Sequence, residues 1–175
     1  MNRQSLDVNL RSLSVEDAAV LMELNNNQDV AKFVVGTPQI VTIEQQLQWM
    51  SKLQHETNTV RWMVTYDGEA VGTVILSSID YVNSVGNMNI KLLPSYHGRG
   101  IAKMALSLAC DSAFDELGLF CLTANILPYN TASYMLFRKV GFQQDGILRG
   151  RVVKGGERHD LITLSYLKTE RVQGN

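Results

Sequence analysis

Residues 92–106, LLPSYHGRGIAKMAL, join an apolar strand-like run to an apolar helix-like run through two glycines that flank an arginine, with no acidic residue among them. The first turn of a helix has unpaired backbone N–H groups and the positive end of the helix dipole, and glycine lets a phosphate approach that backbone closely. The segment therefore predicts an anion-binding helix start. Two glycines before a helix also occur in an ordinary strand-to-helix turn, so the motif alone leaves both interpretations open.

Residues 125–142, NILPYNTASYMLFRKVGF, form a second candidate segment, in which Asn130, Ser133 and Tyr134 begin a short predicted helix that ends at Gly141. A phenol with a pKa near 10 stays protonated at neutral pH and can donate a proton to a leaving group. An isolated tyrosine at this position is more often a core aromatic residue. The neighbouring Asn130 and Ser133 favour a catalytic role for Tyr134 instead.

His159 and Asp160 are adjacent residues with the side-chain types of a catalytic pair. Glu157 and Arg158 precede them directly, and such a run of charges is typical of the solvated end of a hairpin. We therefore favour a structural position for His159 and Asp160 over a functional one.

Composition limits the classes of protein to consider. A chain of 175 residues with 45% apolar residues can bury one substantial core, so we expect a single domain over residues 1–175. The 16 basic and 17 acidic residues form no block of like charge, which argues against a nucleic-acid partner. Neither a signal peptide nor a membrane span is evident, so we expect a cytoplasmic protein without a membrane partner. Cys110 and Cys121 lie in apolar runs without metal-ligand spacing, which predicts buried thiols and no metal site.

Hydrophobic periodicity predicts a mixed sequence of elements. Capping-box spacings at Ser14 and at Thr42 predict two helices after a first strand, with residues 24–30 as a loop. Asp67 and Gly68 separate two β-prone runs and predict a hairpin. The remaining predicted elements are a strand at 85–93, a helix at about 100–117, a strand at 119–126, a helix at 130–140, and two closing strands at 142–148 and 160–166.

This order predicts an α+β fold whose mixed, mostly antiparallel central sheet has about seven strands and is flanked by about four helices. Only the helix after Gly100 has the length of a crossover between parallel neighbours.

Both candidate segments resemble motifs of the GCN5-related N-acetyltransferases (GNAT). Motif A of that family is glutamine or arginine, two residues, glycine, one residue, then glycine or alanine, and it maps onto His97, Gly100 and Ala102. Residues 125–142 resemble the later segment with an asparagine, a serine and a tyrosine on a helix that ends in GF. The element order is similar over nearly the whole chain. The opening LRSL and the closing hairpin resemble the RimJ/RimL-like branch, which acetylates protein N-termini, polyamines and amino sugars.

The resemblance implies that acetyl-CoA is the donor and that a primary amine attacks the thioester directly. It implies that the pyrophosphate lies on the N–H groups of residues 97–102, that the pantetheine follows the strand MNIKL, and that Tyr134 is catalytic. The implied cofactor-binding residues are Met88, Asn89, Ile90, Lys91, Leu92, His97, Gly98, Arg99, Gly100, Ile101, Ala102, Asn125, Asn130, Ser133 and Phe137.

The chain departs from the family pattern at two places. His97 stands where glutamine or arginine is usual, which leaves a cradle of backbone N–H groups intact. Asn87 and Asn89 stand in the strand where many members have a glutamate. The proton acceptor for the amine is therefore unassigned, with a water chain, Asp80 or a substrate-loop residue as the alternatives.

The acceptor also stays open at this point. A protein N-terminal amine and an amino-sugar nucleotide lead, with polyamines third because a polyamine site needs a cluster of acids. The loop NNNQDVAKFV, residues 25–34, borders the acceptor site in the branch that the chain resembles. The alternative function is a catalytically silent sensor or scaffold that binds an acyl-CoA, and the presence of Tyr134 favours the enzyme. A homodimer is left open.

Overall fold

A computed structural model describes residues 6–36 and 39–171, and seven of the described segments form one twisted sheet. The strands are β1 Val8–Ser12, β2 Val60–Tyr66, β3 Glu69–Asp80, β4 Val85–Leu92, β5 Cys121–Ile126, β6 Gln143–Lys154 and β7 Glu157–Leu167. Their spatial order is β1-β2-β3-β4-β5-β7-β6, and only the β4–β5 pair is parallel. The predicted α+β class with a mostly antiparallel sheet is confirmed.

Five α-helices accompany the sheet within the described ranges: α1 Ala18–Asn26, α2 Gln28–Ala31, α3 Ile43–Met50, α4 Ile101–Asp115 and α5 Thr131–Val140. Helix α3 begins with the predicted capping box, in which the backbone N–H of Gln45 donates to Oγ1 of Thr42 and that of Thr42 donates to Oε1 of Gln45. At the earlier box the N–H of Ser14 donates to Oδ2 of Asp17 at 2.8 Å, ahead of a 3₁₀ turn that leads into α1.

The two faces of the sheet differ in character. One face carries the main apolar core, where Val74 and Leu76 of β3 and Met88 of β4 pack with helix α4. Because neighbouring residues of a strand point to opposite faces, the alternate residues Thr73 and Ile75 lie on the other face, which α1 and α3 cover. This second face is the more polar one, and we call it the polar face.

The structure differs from the sequence prediction in three respects. The predicted loop at 24–30 is mostly helical: α1 continues through Asn26, and α2 begins at Gln28. Helix α2 forms there because the side chain of Asn27 accepts hydrogen bonds from the N–H groups of Asp29 and Val30 and so caps a helix start. Strands β6 and β7 extend well beyond 142–148 and 160–166, because only Gly155 and Gly156 are needed for the turn between them. The thiol predicted as buried at position 121 is only half-buried.

Candidate active site

The loop between β4 and α4 forms an open cradle at the start of the helix. Gly98 and Gly100 have φ of 75° and 84°, in the left-handed region that favours glycine. A Cβ atom at Gly98 would meet nothing within 4 Å, and one at Gly100 would lie 3.3 Å from a methyl carbon of Leu6. These two glycines are therefore required by backbone conformation, and residues 97–100 are exposed where the N–H groups of the first turn of α4 begin.

The polar side chains of this loop have separate roles. Nε2 of His97 lies 3.0 Å from the carbonyl oxygen of Leu92, so the imidazole ties the loop back to the end of β4. The guanidinium of Arg99 lies over the ring of Tyr96, 5.4 Å from its centroid, and is solvent-exposed. The cradle therefore presents backbone N–H groups and one accessible positive charge, which fits an anion such as a pyrophosphate.

A gap opens between β4 and β5 on the way to the cradle. The two strands pair only over residues 85–87 and 121–123, ending at Asn87 opposite Thr123. Beyond this point β4 stays paired with β3, and β5 stays paired with β7. Strand β4 over residues 88–92 therefore has a free edge, along which an extended chain can bind.

The predicted residues of α5 use their side chains within the fold. Oδ1 of Asn130 accepts a hydrogen bond from the N–H of Ser133 at 3.2 Å, so Asn130 is the N-cap of the helix. Phe137 is 2% exposed and packs edge-to-face against Phe142, with ring centroids 4.9 Å apart. The hydroxyl of Tyr134 donates to Oε1 of Gln144 at 3.2 Å. The ring of Tyr134 is half-buried against the core.

The polar face carries side chains that line a cavity. Asn87, Asn89 and Lys91 alternate along β4 and share this face, and Asn125 of β5 donates to Oδ1 of Asn87 at 3.4 Å. The cavity has a volume of about 260 Å³ and lies between the polar face and helices α1 and α3. Its lining residues are Leu13, Leu21, Leu24, Asn25, Gln46, Trp49, Arg61, Thr73, Ile75 and Lys91.

Lys91 has a second role that the sequence prediction missed. The family resemblance implies that Lys91 binds the cofactor on the pantetheine strand. Its side chain lies in the cavity, where Nζ donates to Oδ1 of Asn25 at 3.4 Å. Burial lowers the pKa of this ammonium group. The alternation of Asn87, Asn89 and Lys91 in the sequence is the signal that could have indicated a polar face on this strand.

The segment at 25–34, which includes α2, packs against the β5–α5 connection and the end of the β6–β7 hairpin. Phe33 lies 6.3 Å from Tyr129, measured between ring centroids, and the hydroxyl of Tyr129 donates to the carbonyl of Lys32. Nζ of Lys154 donates to the carbonyl groups of Ala31 and Val34, both at 2.8 Å. The loop is therefore held by the β5–α5 connection and by the end of the β6–β7 hairpin.

The structure does not bring His159 and Asp160 together as a pair. His159 stacks edge-on against Tyr129, and its Nε2 lies 3.3 Å from the carbonyl oxygen of Lys154. Asp160 instead accepts a hydrogen bond from the N–H of Gly150 at 2.7 Å. Consecutive residues of a strand point to opposite faces, so the side chains of this pair diverge.

Asp80 is the last residue of β3, where the turn to β4 begins. Its carboxylate accepts hydrogen bonds from the side chain and N–H of Asn83 and from the N–H of Val82, and these bonds lower its pKa. Asp80 pairs with Val85, at the end of β4 opposite to the cradle. A carboxylate with a lowered pKa at that position is poorly suited to accept the proton of an amine.

Two broader features complete the description. In the part of the chain that the structure describes, no group of three or more His, Cys, Asp or Glu side chains is arranged to hold a metal ion. Among the same residues, no helix has both the length and the apolar character needed to cross a membrane.

Residues 7–143 match the family model of the acetyltransferase (GNAT) domain. The chain belongs to the GNAT family. The sequence-based identification is thus confirmed, and as a GNAT protein the chain is an N-acetyltransferase that takes its acetyl group from acetyl-CoA. The glycine cradle and the free edge of β4 fit the pyrophosphate and the extended pantetheine of that cosubstrate.

Several proteins named as acetyltransferases are similar to this chain over most of their length. Spermidine N(1)-acetyltransferase of Escherichia coli (strain K12) is 30% identical over 172 residues, which cover 95% of this chain and 92% of that protein. The putative ribosomal N-acetyltransferase YdaF of Bacillus subtilis (strain 168) is 26% identical, with 93% and 92% covered. The crystal structure of spermidine N-acetyltransferase from Vibrio cholerae with CoA and spermine has a TM-score of 0.87 at 22% identity, covering 93% of this chain and 96% of that one. This last likeness supports the fold.

Proposed function

We propose that this GNAT protein acetylates a primary amine, which enters from the polar face and attacks acetyl-CoA held between β4 and β5. The divergence of these strands beyond Asn87 and Thr123 carries the proposal. A pantetheine chain laid on the free edge of β4 extends toward the cradle at Gly98 and Gly100, while its thioester end lies beside the polar face.

Acetyl-CoA supplies an activated acyl group: the amine forms a C–N bond, the C–S bond breaks, the amine loses one proton and the thiolate gains one. Backbone N–H groups on the free edge of β4 are available to bind the developing oxyanion. Tyr134 is the proposed proton donor to the thiolate, for which its hydroxyl must leave Gln144. Asn87 and Asn89 cannot accept a proton, but their amides can hold a water chain that removes it from the amine.

A protein N-terminal amine and an amino-sugar nucleotide remain the leading acceptors. A polyamine is the third candidate, favoured by the 30% identity to an enzyme named spermidine N(1)-acetyltransferase. The cavity argues against it, because none of its lining residues is acidic while two of them, Arg61 and Lys91, are basic. The GNAT fold is also compatible with a catalytically silent sensor, which would bind an acyl-CoA without transferring its acyl group.

The test is to measure thiol release from acetyl-CoA with peptides, amino sugars, amino acids and polyamines as acceptors. We expect saturable turnover with at least one acceptor and product mass increased by one acetyl group. Tight binding of acetyl-CoA in calorimetry with no thiol release across the panel would favour the silent sensor. Light scattering on the same sample would measure the oligomeric state, for which a homodimer is open and a Vibrio cholerae spermidine N-acetyltransferase has a dodecameric structure.

A further inference from the structure

The cavity beside Lys91 contains a chain of hydrogen bonds with a fixed direction. Nζ of Lys91 is only a donor, so the atom that it contacts on Asn25 must be the oxygen Oδ1. Nδ2 of Asn25 then faces Gln46 at 3.1 Å and must donate to the oxygen Oε1. Because of this direction, Nε2 of Gln46 is the terminal donor of the chain, and it is buried with no hydrogen-bond partner among the described residues. Gln46 is 2% exposed.

Arg61 adds a second unpartnered donor to the same cavity. Its NH1 group pairs with Glu56, and its guanidinium lies over the ring of Trp49 at 5.2 Å from the centroid. Its Nε atom is also buried, with no hydrogen-bond partner in the part of the chain that the structure describes. Arg61 lies opposite Ile75, which lies opposite Asn89, so these residues form one row across the polar face.

Among the described residues that line the cavity, two buried N–H donors therefore have no acceptor, and no side chain is acidic. Burial of an N–H group without a partner is unfavourable, and so is burial of an ammonium group without a carboxylate. Lys91 donates to an amide oxygen, with no acidic residue in the lining of the cavity. A bound anion would offset these costs, because one carboxylate or phosphate offers several acceptor sites to donors that converge on it.

The cavity also lies at a suitable distance from the reaction. Lys91 and Asn89 are on the same face of β4, two residues or about 7 Å apart, and the gap for the thioester begins just past Asn87. A volume of about 260 Å³ accommodates a small molecule. An anion at Lys91 would thus place an amine a few bonds away beside the gap.

We infer that the acceptor of this enzyme is a small amine that carries a carboxylate or phosphate group, which binds to Lys91, Gln46 and the Nε of Arg61. This inference rests on the proposed function, since it names the substrate class of the same site. A site for an anionic group would not suit a polyamine, because the ammonium groups of a polyamine would face the positive charge of Lys91 with no carboxylate to neutralise it.

The experiment compares kcat/KM for matched acceptors that differ in the anionic group. One arm uses amino acids and their amides, and the other uses glucosamine 6-phosphate and glucosamine, with spermidine included. In one of the two arms we expect kcat/KM to be at least tenfold higher for the anionic acceptor than for its neutral partner. A preference in the first arm would identify a carboxylate, and a preference in the second would identify a phosphate. Lys91→Met keeps the apolar stem and removes the charge, so it should abolish the preference by raising the KM for the anionic acceptor.

Two controls separate binding from folding. Lys52→Met changes an exposed lysine just after α3 and should keep the preference. The melting temperature of Lys91→Met should match or exceed that of the parent, since a partly desolvated charge is removed. Equal kcat/KM for anionic and neutral amines, or a preference for spermidine, would overturn the inference and leave N-acetylation intact.

If no amine is acetylated, the proposed function fails and calorimetry tests the anion site directly. Glucosamine 6-phosphate and an amino acid would be titrated into the CoA-loaded protein and into its Lys91→Met variant. Saturable binding that Lys91→Met weakens at least tenfold would support the anion site. Absence of binding of both probes to the parent protein would overturn it.

Discussion

The hydroxyl of Tyr134 on α5 donates a hydrogen bond to Oε1 of Gln144 on β6, the edge strand beyond β7. Strand β6 is separated from β4 by β5 and β7, so this hydrogen bond holds the hydroxyl away from the gap beside β4. A proton-donor role therefore requires the tyrosine side chain to exchange Gln144 for the leaving thiolate.

Tyr134→Phe tests that role, because the substitution keeps the ring and removes only the donor. General acid assistance is typically worth about 10²- to 10⁴-fold, so the turnover rate should fall by that factor with little change in the Kd of acetyl-CoA. Stopped-flow or steady-state thiol release at saturating amine measures the effect. Gln144→Leu is the companion variant, since it frees the hydroxyl without removing it and should not slow turnover. A parent-like rate for Tyr134→Phe would make Tyr134 a packing residue.

Gly100→Ala tests the cradle. The substitution places a Cβ atom in a left-handed backbone position beside the N–H groups of α4, so we expect the Kd of acetyl-CoA to rise at least tenfold, or about 1.4 kcal/mol. Gly118→Ala is the matched control, because Gly118 also has a positive φ, of 68°, but lies past the far end of α4. Calorimetry distinguishes the two variants: equal losses of affinity in both would indicate a general backbone effect and contradict a cradle at Gly100.

Phe33→Ala tests the role of the loop at 25–34 in acceptor binding. The ring of Phe33 is partly exposed and contacts Tyr129, so its loss should loosen the loop at the rim of the polar face. We expect the KM for the amine to increase several-fold while the Kd of acetyl-CoA stays within twofold. Val82→Ala provides a control at a residue that is 94% exposed in another turn. A parallel loss for both substrates would show that the loop supports the fold instead.

The Arg11–Asp17 pair makes stability depend on pH in the acid range. Burial raises the pKa of Asp17, but hydrogen bonds from Arg11 at 2.7 and 2.8 Å and from the N–H of Ser14 outweigh it, so the pKa is lowered. As the pH falls below about 4, Asp17 is therefore protonated first in the unfolded chain. The stabilisation by the Arg11–Asp17 pair is lost as the pH falls further, through the lower pKa of Asp17 in the folded protein.

Asp17→Asn should consequently lower the free energy of unfolding at pH 7 by about 1–3 kcal/mol and flatten its decline below pH 4. Urea titrations at several pH values measure both quantities. An unchanged acid slope in the variant would assign the pH dependence to other carboxylates.

The sequence by itself was sufficient for features that depend on neighbouring residues. The capping box at Thr42 and Gln45 is present as predicted, because both partners lie within one helical turn. The hairpin at Asp67 and Gly68 is also present, with positive φ at both residues, as a tight turn between twisted strands requires. The family resemblance depended on the same kind of local motif around Gly100.

Only the tertiary structure decided how polar side chains use their hydrogen bonds. Asn130 caps its own helix and Tyr134 contacts a strand that the sequence pattern could not place beside it. The network of Lys91, Asn25 and Gln46 joins β4, α1 and α3. Strands β4 and β5, which α4 separates in the chain, stop pairing after Asn87 and Thr123. Such contacts form between residues far apart in the chain, where side-chain periodicity gives the face of an element but not the partner that packs against it.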